Sequence, residues 1–259
     1  MFYTIFIFFV FIFSSAADAE IISSFWTTEK SDHFVIYYQD APREYVGDVL
    51  KASETYYNTI TEELGFTRFD NFWTWEERAK IYLFKDRQEY QKNGGGPEWS
   101  EAGANVVKRE IQCYLYQENF FEDVLPHELG HLIFREFIGY KRKLPLWLDE
   151  GIAIYLEKKY RQERLFLAKI LVTSVYFMPL SELEKVENGK VALPVVFYAE
   201  AASAIEFLLV RYGADRFVQF CRRLRDLRSD QDWTTAFKET YSFSSLSKME
   251  ADWKGFLIQ

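Results

Sequence analysis

The sequence predicts an α+β fold, with the strands confined to the first half of the chain and helices filling the second. Four runs in the first half have the composition or the alternation of strands: residues 33–38, 79–84, 102–107 and 110–116. After Tyr160, apolar residues recur only at the spacing of helices. Strands and helices that are separated in this way along one chain are typical of α+β folds.

Helices are also expected between the strands of the first half. One opens at Pro42, where proline suits a first helical turn, and ends at Gly65. A shorter helix, residues 86–91, is expected to be capped by the side chain of Asp86. In the second half, the predicted helical segments are 196–212, 217–224, 233–241 and 246–257.

The segment 127–131, which reads His-Glu-Leu-Gly-His, carries the strongest chemical signal. Two histidines four residues apart on a helix lie on one face, so both imidazoles can bind the same metal ion. Glu128 between them can reach a water molecule on that ion, and this combination is typical of zinc sites that activate water. The chain has three histidines, and two of them fall in this segment.

The helix around this segment has two possible starts. Asn119 and Glu122 form the pattern of a capping box, whereas Pro126 is itself suited to a first helical turn. In both cases the two histidines follow the proline and share a face. The helix is expected to end at about Phe137, with Gly139 as the stop.

A catalytic zinc ion needs a third protein ligand beside an open position for water. His33, the remaining histidine, lies in a strand-like run far upstream and is expected to be a strand-end residue. The third ligand is therefore predicted to be a carboxylate. Downstream, residues 146–153 read Leu-Trp-Leu-Asp-Glu-Gly-Ile-Ala, with eighteen residues between His131 and Glu150.

The helix that carries Glu150 is expected to begin after Pro145 and to continue to about Tyr160. Gly151 lowers its helix propensity by about 1 kcal/mol. We expect close packing against the helix of the two histidines to compensate, because that packing would bring Glu150 within reach of the metal.

Together the two segments resemble the gluzincins, in particular the aminopeptidase N-like branch and the compact peptidase MA-like proteins. Their pattern is the five-residue motif, eighteen intervening residues, and a glutamate inside Trp-Leu-x-Glu-Gly-x-Ala, and this chain has all of it. The resemblance implies one zinc ion (Zn²⁺) per chain, held by His127, His131 and Glu150, with Glu128 as the general base. It implies hydrolysis of peptide bonds in a peptide or protein substrate. The implied fold is zincin-like, with a small mixed sheet packed on the active-site helix and an all-helical C-terminal lobe.

Two further features are carried over from the same resemblance. Residues 196–203 are similar to the segment in which a tyrosine at the start of a helix binds the oxyanion, which makes Tyr198 the candidate for that function; the alternative is a packed aromatic residue. The strand 110–116 is expected to form the edge of the cleft, where the substrate backbone pairs. Residues 103–105, Gly-Ala-Asn, begin like the aminopeptidase N-like amine-binding run but lack its Met-Glu, so exopeptidase specificity is not expected.

A protein of another class is the alternative to a peptidase. It would be a zincin-fold binding or scaffold module without turnover. Loss of Glu128 or Tyr198 would favour this alternative, and both residues are present.

Length and composition indicate a single domain over residues 20–259, with an N-terminal lobe of about 32–137 and a C-terminal lobe of about 138–259. Because 49% of the residues are hydrophobic, the chain can bury a substantial core. The net charge of −8 argues against nucleic acid as a partner, since no basic face is evident to offset repulsion from phosphates.

The N-terminal residues 1–13 are almost entirely apolar, and a small-x-small cleavage pattern, Ala-Asp-Ala, follows at 17–19. We expect residues 1–19 to be a secretory signal peptide, which would make the mature protein extracytoplasmic, either secreted or periplasmic. In the alternative, residues 1–17 stay uncleaved and anchor the protein to a membrane. Contact with a membrane is expected only in that second case.

The two cysteines, Cys113 and Cys221, leave two alternatives open. In an exported protein they could form a disulfide between the lobes, but two small buried hydrophobic residues are the commoner case. Both lie in apolar, periodic runs, so neither is expected to be a nucleophile.

Overall fold

The computed structural model describes residues 26–66, 73–94, 100–187, 191–228 and 231–259. The predicted signal peptide or anchor, residues 1–19, lies outside this part of the chain, so its fate stays a prediction. Among the helices of the described ranges, none combines the length and the apolar character that crossing a membrane requires.

Five strands in the described residues form one mixed sheet. They are β1 (Thr27–Lys30), β2 (Phe34–Tyr38), β3 (Ala79–Phe84), β4 (Gly103–Asn105) and β5 (Glu110–Tyr114). Their order across the sheet is β1-β2-β3-β5-β4. β2, β3 and β5 are parallel, while β1 and β4 run antiparallel to their neighbours and form the two edges. The prediction of an α+β fold with a small mixed sheet is confirmed, although β1 was not predicted.

The expectation that the strand 110–116 forms the edge of the cleft, where a substrate backbone pairs, is wrong, because both sides of this strand are already paired. β5 pairs with β3 on one side and with β4 on the other, so it is an inner strand. The edge beside it is β4, the short Gly-Ala-Asn strand. Alternation of polarity along a strand shows which residues share a face, but the place of the strand in the sheet depends on pairing with distant segments.

Ten helices are found in the described residues, and most of them begin and end within a few residues of the predicted bounds. They are α1 (Arg43–Glu63), α2 (Arg87–Asn93), α3 (Leu125–Ile138), α4 (Leu146–Tyr155), α5 (Lys159–Leu171), α6 (Leu180–Leu183), α7 (Pro194–Tyr212), α8 (Ala214–Asp226), α9 (Trp233–Tyr241) and α10 (Leu246–Ile258). The side chain of Asp86 caps α2 as predicted, by accepting the N–H of Glu89 at 2.8 Å. The second half of the described chain is helical, which confirms the all-helical C-terminal lobe.

The end of α4 differs from the prediction. α4 stops at Tyr155 instead of continuing to about Tyr160, and a separate helix, α5, begins at Lys159. The carboxylate of Asp123 accepts the N–H groups of residues 158–160 at 2.9–3.3 Å. This distant carboxylate satisfies the first amides of α5, and a cap of this kind cannot be seen in the local sequence.

Of the two predicted starts of α3, the one at Pro126 agrees with the structure to within one residue, and the capping box does not. Residues 120–124 form one turn of π-helix, and α3 continues from it at Leu125. Asn119 has a left-handed backbone with φ 54°, and its side-chain amide donates to the hydroxyl of Tyr160 at 2.9 Å. The predicted capping box therefore does not form among the described residues. Pro126 lies in the first turn of α3, so both histidines of the motif follow it and share a face as expected.

α3 lies at the centre of the core. Thirteen of its fourteen residues are buried, and Glu136 is the exception. It packs against the sheet, α1, α4 and α8. A helix that is buried on every side has no solvated face for polar groups, so its histidines, Glu128 and Arg135 need partners inside the protein.

Cys113 in β5 and Cys221 in α8 are both fully buried free thiols. The alternative of a disulfide between the lobes is therefore wrong for this structure, and the two residues pack as small hydrophobic side chains. Burial raises the pKa of both thiols, which keeps them protonated and unreactive.

Candidate metal centre

Two glycines let the helices of the site approach each other closely. A Cβ atom on Gly130 of α3 would lie 2.6 Å from Cδ1 of Leu156 and 3.3 Å from Cα of Ala153 in α4. A Cβ atom on Gly151 of α4 would lie 2.5 Å from the carbonyl oxygen of Ala201 in α7. The expectation that Gly151 serves the contact with α3 is therefore wrong. Gly130 serves that contact, and Gly151 lets α4 pack on α7.

The three predicted ligands converge at one buried point. The Nε2 atoms of His127 and His131 are 3.1 Å apart, and each lies 3.8 Å from Oε2 of Glu150. A point equidistant from these three atoms lies about 2.1 Å from each, which matches zinc bonds of about 2.0–2.2 Å to imidazole and carboxylate. All three side chains are buried. Two imidazoles and one carboxylate are the donor set of catalytic zinc sites that keep one position for water.

The surroundings of Glu150 support a cation at this point. Its carboxylate is fully buried, and within the described structure neither oxygen has a hydrogen-bond partner. Burial, together with the charges of Asp149 and Glu128, raises the pKa of Glu150 well above its ordinary value. A buried carboxylate without hydrogen bonds is costly unless it is neutralised or binds a cation. The residues present therefore fit a zinc ion.

Glu157 contacts the ring of His127 on the side away from the metal point. Its Oε1 lies 2.6 Å from Nδ1 of His127, and such a contact fixes the tautomer that leaves Nε2 free for a metal. Arg164 of α5 donates to both oxygens of Glu157, at 2.8 and 2.6 Å. Burial raises the pKa of Glu157 to about 7, although the charge of Arg164 lowers it. Glu157 was not predicted from the sequence; its one local signal is its place two helical turns after Glu150.

Asp149 makes the matching contact with His131. Its Oδ1 lies 3.4 Å from Nδ1 of His131, and Arg135 donates to its Oδ2 from Nε and Nη2 at 2.9 and 2.7 Å. Burial alone would raise the pKa of Asp149, but Arg135 and His131 outweigh it and hold that pKa well below its ordinary range. Asp149 therefore stays ionised and can orient the second imidazole. This contact, too, was not predicted, although Asp149 directly precedes the third ligand.

Glu128 directly follows the first ligand in α3 and is fully buried. As for Glu150, neither of its carboxylate oxygens has a hydrogen-bond partner in the described part of the chain. Burial, and then the charge of Glu157, raises the pKa of Glu128 well above its ordinary value. The charge of Glu128 in turn raises the pKa of both Glu150 and Tyr198, so these groups are close enough to interact.

Tyr198 of α7 lies near the same groups. Its side chain is buried, and the guanidinium carbon of Arg164 is 5.5 Å from the centre of its ring. Burial, and then the charge of Glu150, raises the pKa of its phenol, so the hydroxyl stays protonated at neutral pH. The structure thus brings Tyr198 to the neighbourhood of the ligands, while its function as oxyanion donor stays a prediction.

His33 lies apart from this centre. It directly precedes β2, its Nδ1 is 2.6 Å from a carboxylate oxygen of Glu54, and its ring stacks on Tyr57 with ring centres 3.8 Å apart. Within the described residues, the group that could hold a metal consists of the two motif histidines and Glu150. The prediction that His33 is a strand-end residue is confirmed.

A buried helix with two histidines, a following helix with a glutamate, and a mixed sheet beside them form a fold of the zincin kind, with a site that could hold a metal ion. The chain belongs to the Peptidase MA superfamily, whose family model matches residues 78–259. The structure is also similar to that of native LTA4 hydrolase from yeast, with a TM-score of 0.46 and 16% sequence identity over 90% of this chain. The chain spans 39% of the length of that hydrolase. No curated protein matches the sequence at a significant level.

Proposed function

We propose that this protein is a zinc-dependent peptidase that hydrolyses peptide bonds with Glu128 as the general base. The observation that carries the proposal is the buried group of His127, His131 and Glu150, with the unpartnered carboxylate of Glu128 in the same turn of helix. Membership of the Peptidase MA superfamily supports the same reaction.

The proton transfers fall to Glu128. When bound, a zinc ion supplies the activation of a water molecule and the polarisation of the scissile carbonyl. Glu128 would accept a proton from the attacking water, and both of its oxygens are available because neither is hydrogen-bonded in the described structure. The same proton can then pass from Glu128 to the leaving amine.

Tyr198 would stabilise the negative charge that develops on the carbonyl oxygen. A donor that is already positioned and buried is worth more than one in water, because it needs no reorganisation during the reaction. The phenol of Tyr198 is buried and protonated, and it interacts electrostatically with Glu128 and Glu150. These observations support a function as hydrogen-bond donor to the oxyanion.

The proposed substrate is a peptide or protein whose backbone pairs with β4. This strand is an edge of the described sheet and packs against α3, which carries two of the ligands. An edge strand offers a row of backbone N–H and C=O groups to an extended peptide. Because β4 lacks the Met-Glu of the aminopeptidase N-like run, exopeptidase specificity is not part of the proposal.

We also propose that the mature protein is exported. The apolar residues 1–13 and the Ala-Asp-Ala pattern at 17–19 support cleavage of a signal peptide. N-terminal sequencing of the mature protein should begin at or near Glu20. A chain that begins at Met1 in the membrane fraction would instead support the uncleaved anchor.

Metal analysis combined with digestion of a peptide library tests the peptidase itself. The purified protein should hold about one zinc ion per chain and cleave peptides. Glu128→Gln should keep the zinc and the fold but lose nearly all turnover, because an amide cannot take up the proton. His131→Ala and Glu150→Ala should each lose the zinc, since three ligands become two. If the zinc-loaded wild type cleaves no peptide of a broad library but binds one tightly, a binding module without turnover replaces the proposal.

A further inference from the structure

Two arginines in adjacent turns of α5 bind different partners. Arg161 donates from Nη2 to Glu206 of α7 at 2.6 Å. Arg164 donates from Nη1 to both carboxylate oxygens of Glu157, and its guanidinium also lies beside the ring of Tyr198. Arg164 thus contacts both the residue that orients His127 and the proposed oxyanion donor.

We propose that Arg164 is a positioning residue that holds the imidazole of His127 and the phenol of Tyr198 in one fixed arrangement. The part that concerns Tyr198 rests on the proposed peptidase function. The part that concerns His127 requires only that the site binds a metal ion.

Arg164 holds the carboxylate of Glu157 in place. This carboxylate is almost fully buried, and in the described structure Arg164 is the cation that pairs with it. Removal of one partner of a buried ion pair leaves the other charge without compensation. Without Arg164, Glu157 would lose both hydrogen bonds that hold its carboxylate beside His127, and it would turn away from the Nδ1–H of that ring. A metal-bound histidine that loses such a partner typically weakens metal binding by about 10–100-fold.

Arg164 also contacts the ring of Tyr198. A guanidinium within about 6 Å of an aromatic ring centre attracts the ring, more strongly where both are shielded from water. The ring of Tyr198 lies 5.5 Å from the guanidinium carbon, and the Arg164 side chain is only 13% exposed. The positive charge also makes the phenol a better hydrogen-bond donor, because it favours the ionised form of Tyr198.

The position of α5 does not depend on Arg164. Asp123 accepts the first N–H groups of α5, and the helix packs along α7. A substitution of Arg164 should therefore remove the contacts with Glu157 and Tyr198 while α5 stays in place. Arg161→Gln is the matched control, since it removes an arginine ion pair from the same helix without touching Glu157.

The first measurement is zinc affinity, by competition with a chelator. Arg164→Gln should weaken zinc binding by about 10–100-fold, whereas Arg161→Gln should bind zinc like the wild type. In the background of Glu157→Gln, the Arg164 substitution should have no further effect, because it acts through that carboxylate. Arg164→Gln with zinc affinity within about twofold of the wild type would overturn the proposal.

The second measurement is kcat at saturating zinc. Arg164→Gln should lower kcat, and the loss should disappear in the background of Tyr198→Phe. If the double variant instead loses the product of the two single reductions of kcat, Arg164 acts on the reaction independently of Tyr198. If Arg164→Gln does not fold, Arg164→Lys serves instead. This variant should keep more of the wild-type zinc affinity than of the wild-type kcat, because an ammonium can bind Glu157 but lacks the planar group beside the ring of Tyr198.

The two measurements, zinc affinity and kcat, also distinguish a failure of this proposal from a failure of the proposed peptidase function. If the zinc-loaded wild type cleaves no peptide, the peptidase fails and the Tyr198 part falls with it. Zinc affinity still decides whether Arg164 positions His127.

Discussion

Gly151→Ala tests how the metal centre is assembled. A methyl group at this position would lie 2.5 Å from the carbonyl oxygen of Ala201 and 2.6 Å from Cγ1 of Ile205. The side chain of Ile205 can rotate away, but the carbonyl of Ala201 belongs to the backbone of α7 and moves only with the helix. We therefore expect the substitution to push α4 and α7 apart and to displace Glu150, the neighbouring ligand.

The expected change in the free energy of unfolding of Gly151→Ala is the difference between two opposing effects. Replacing glycine by alanine inside a helix ordinarily stabilises a protein by about 0.5–1 kcal/mol. Overpacking of a well-packed core costs about 1–3 kcal/mol. We expect the free energy of unfolding to fall by about 1–2 kcal/mol and zinc affinity to fall at least about tenfold, because ligand distances must hold to within about 0.2 Å.

Denaturant unfolding of the chelated protein and zinc competition measure these two quantities. Gly47→Ala is the control, because Gly47 lies exposed in α1 and a Cβ atom there would meet nothing within 4 Å. That variant should be as stable as the wild type or slightly more stable, with unchanged zinc affinity. If Gly151→Ala behaves like this control, the close contact of α4 with α7 does not set the position of Glu150 and the reasoning is wrong.

Tyr198→Phe should lower kcat by about 10²–10³ with little change in KM, because the hydroxyl acts mainly when charge develops on the oxygen. Steady-state kinetics at equal zinc content measure this, and a variant as fast as the wild type would make Tyr198 a packed aromatic residue. Glu200, buried in α7, accepts the N–H of Met178 at 2.9 Å, and burial raises its pKa from 4.5 to about 8 despite that bond. Between these pH values the folded state holds a proton that the unfolded chain has lost, so the free energy of unfolding should fall as pH rises. Thermal unfolding at pH 5 and pH 8 should show a smaller fall for Glu200→Gln, which keeps an acceptor for Met178, and an equal fall in both proteins would refute this.

The ligand set could be predicted from the sequence because it depends on short spacings. His127 and His131 share a face in any helix, and Glu150 lies on the next helix at the spacing of a known family. The strands β2 and β3 could be predicted for the same reason, since their patterns are local. The order of the strands in the sheet could not be predicted, because strand pairing joins segments that are distant along the chain.

The residues around the ligands could not be predicted, because they act across elements. Arg164 contacts Glu157 only because the chain ends α4 early and starts a new helix, and the cap that starts it, Asp123, comes from before α3. The π-helical turn that leads into α3 has no sequence signal comparable to a capping box. Gly151 was assigned to the contact with α3, which Gly130 makes instead, because local propensity does not say which neighbouring helix comes close.

The burial of α3 on every side bears on how the metal centre can come apart. A helix with thirteen of its fourteen residues buried cannot unwind alone, because its unwinding would expose the core that it shares with the sheet and three other helices. Its backbone amides should therefore exchange with deuterium only through global unfolding and rank among the slowest in the protein. His127 and His131 cannot leave the site by fraying of a helix end. The rate at which the centre loses its two imidazoles is then the rate at which the whole domain unfolds.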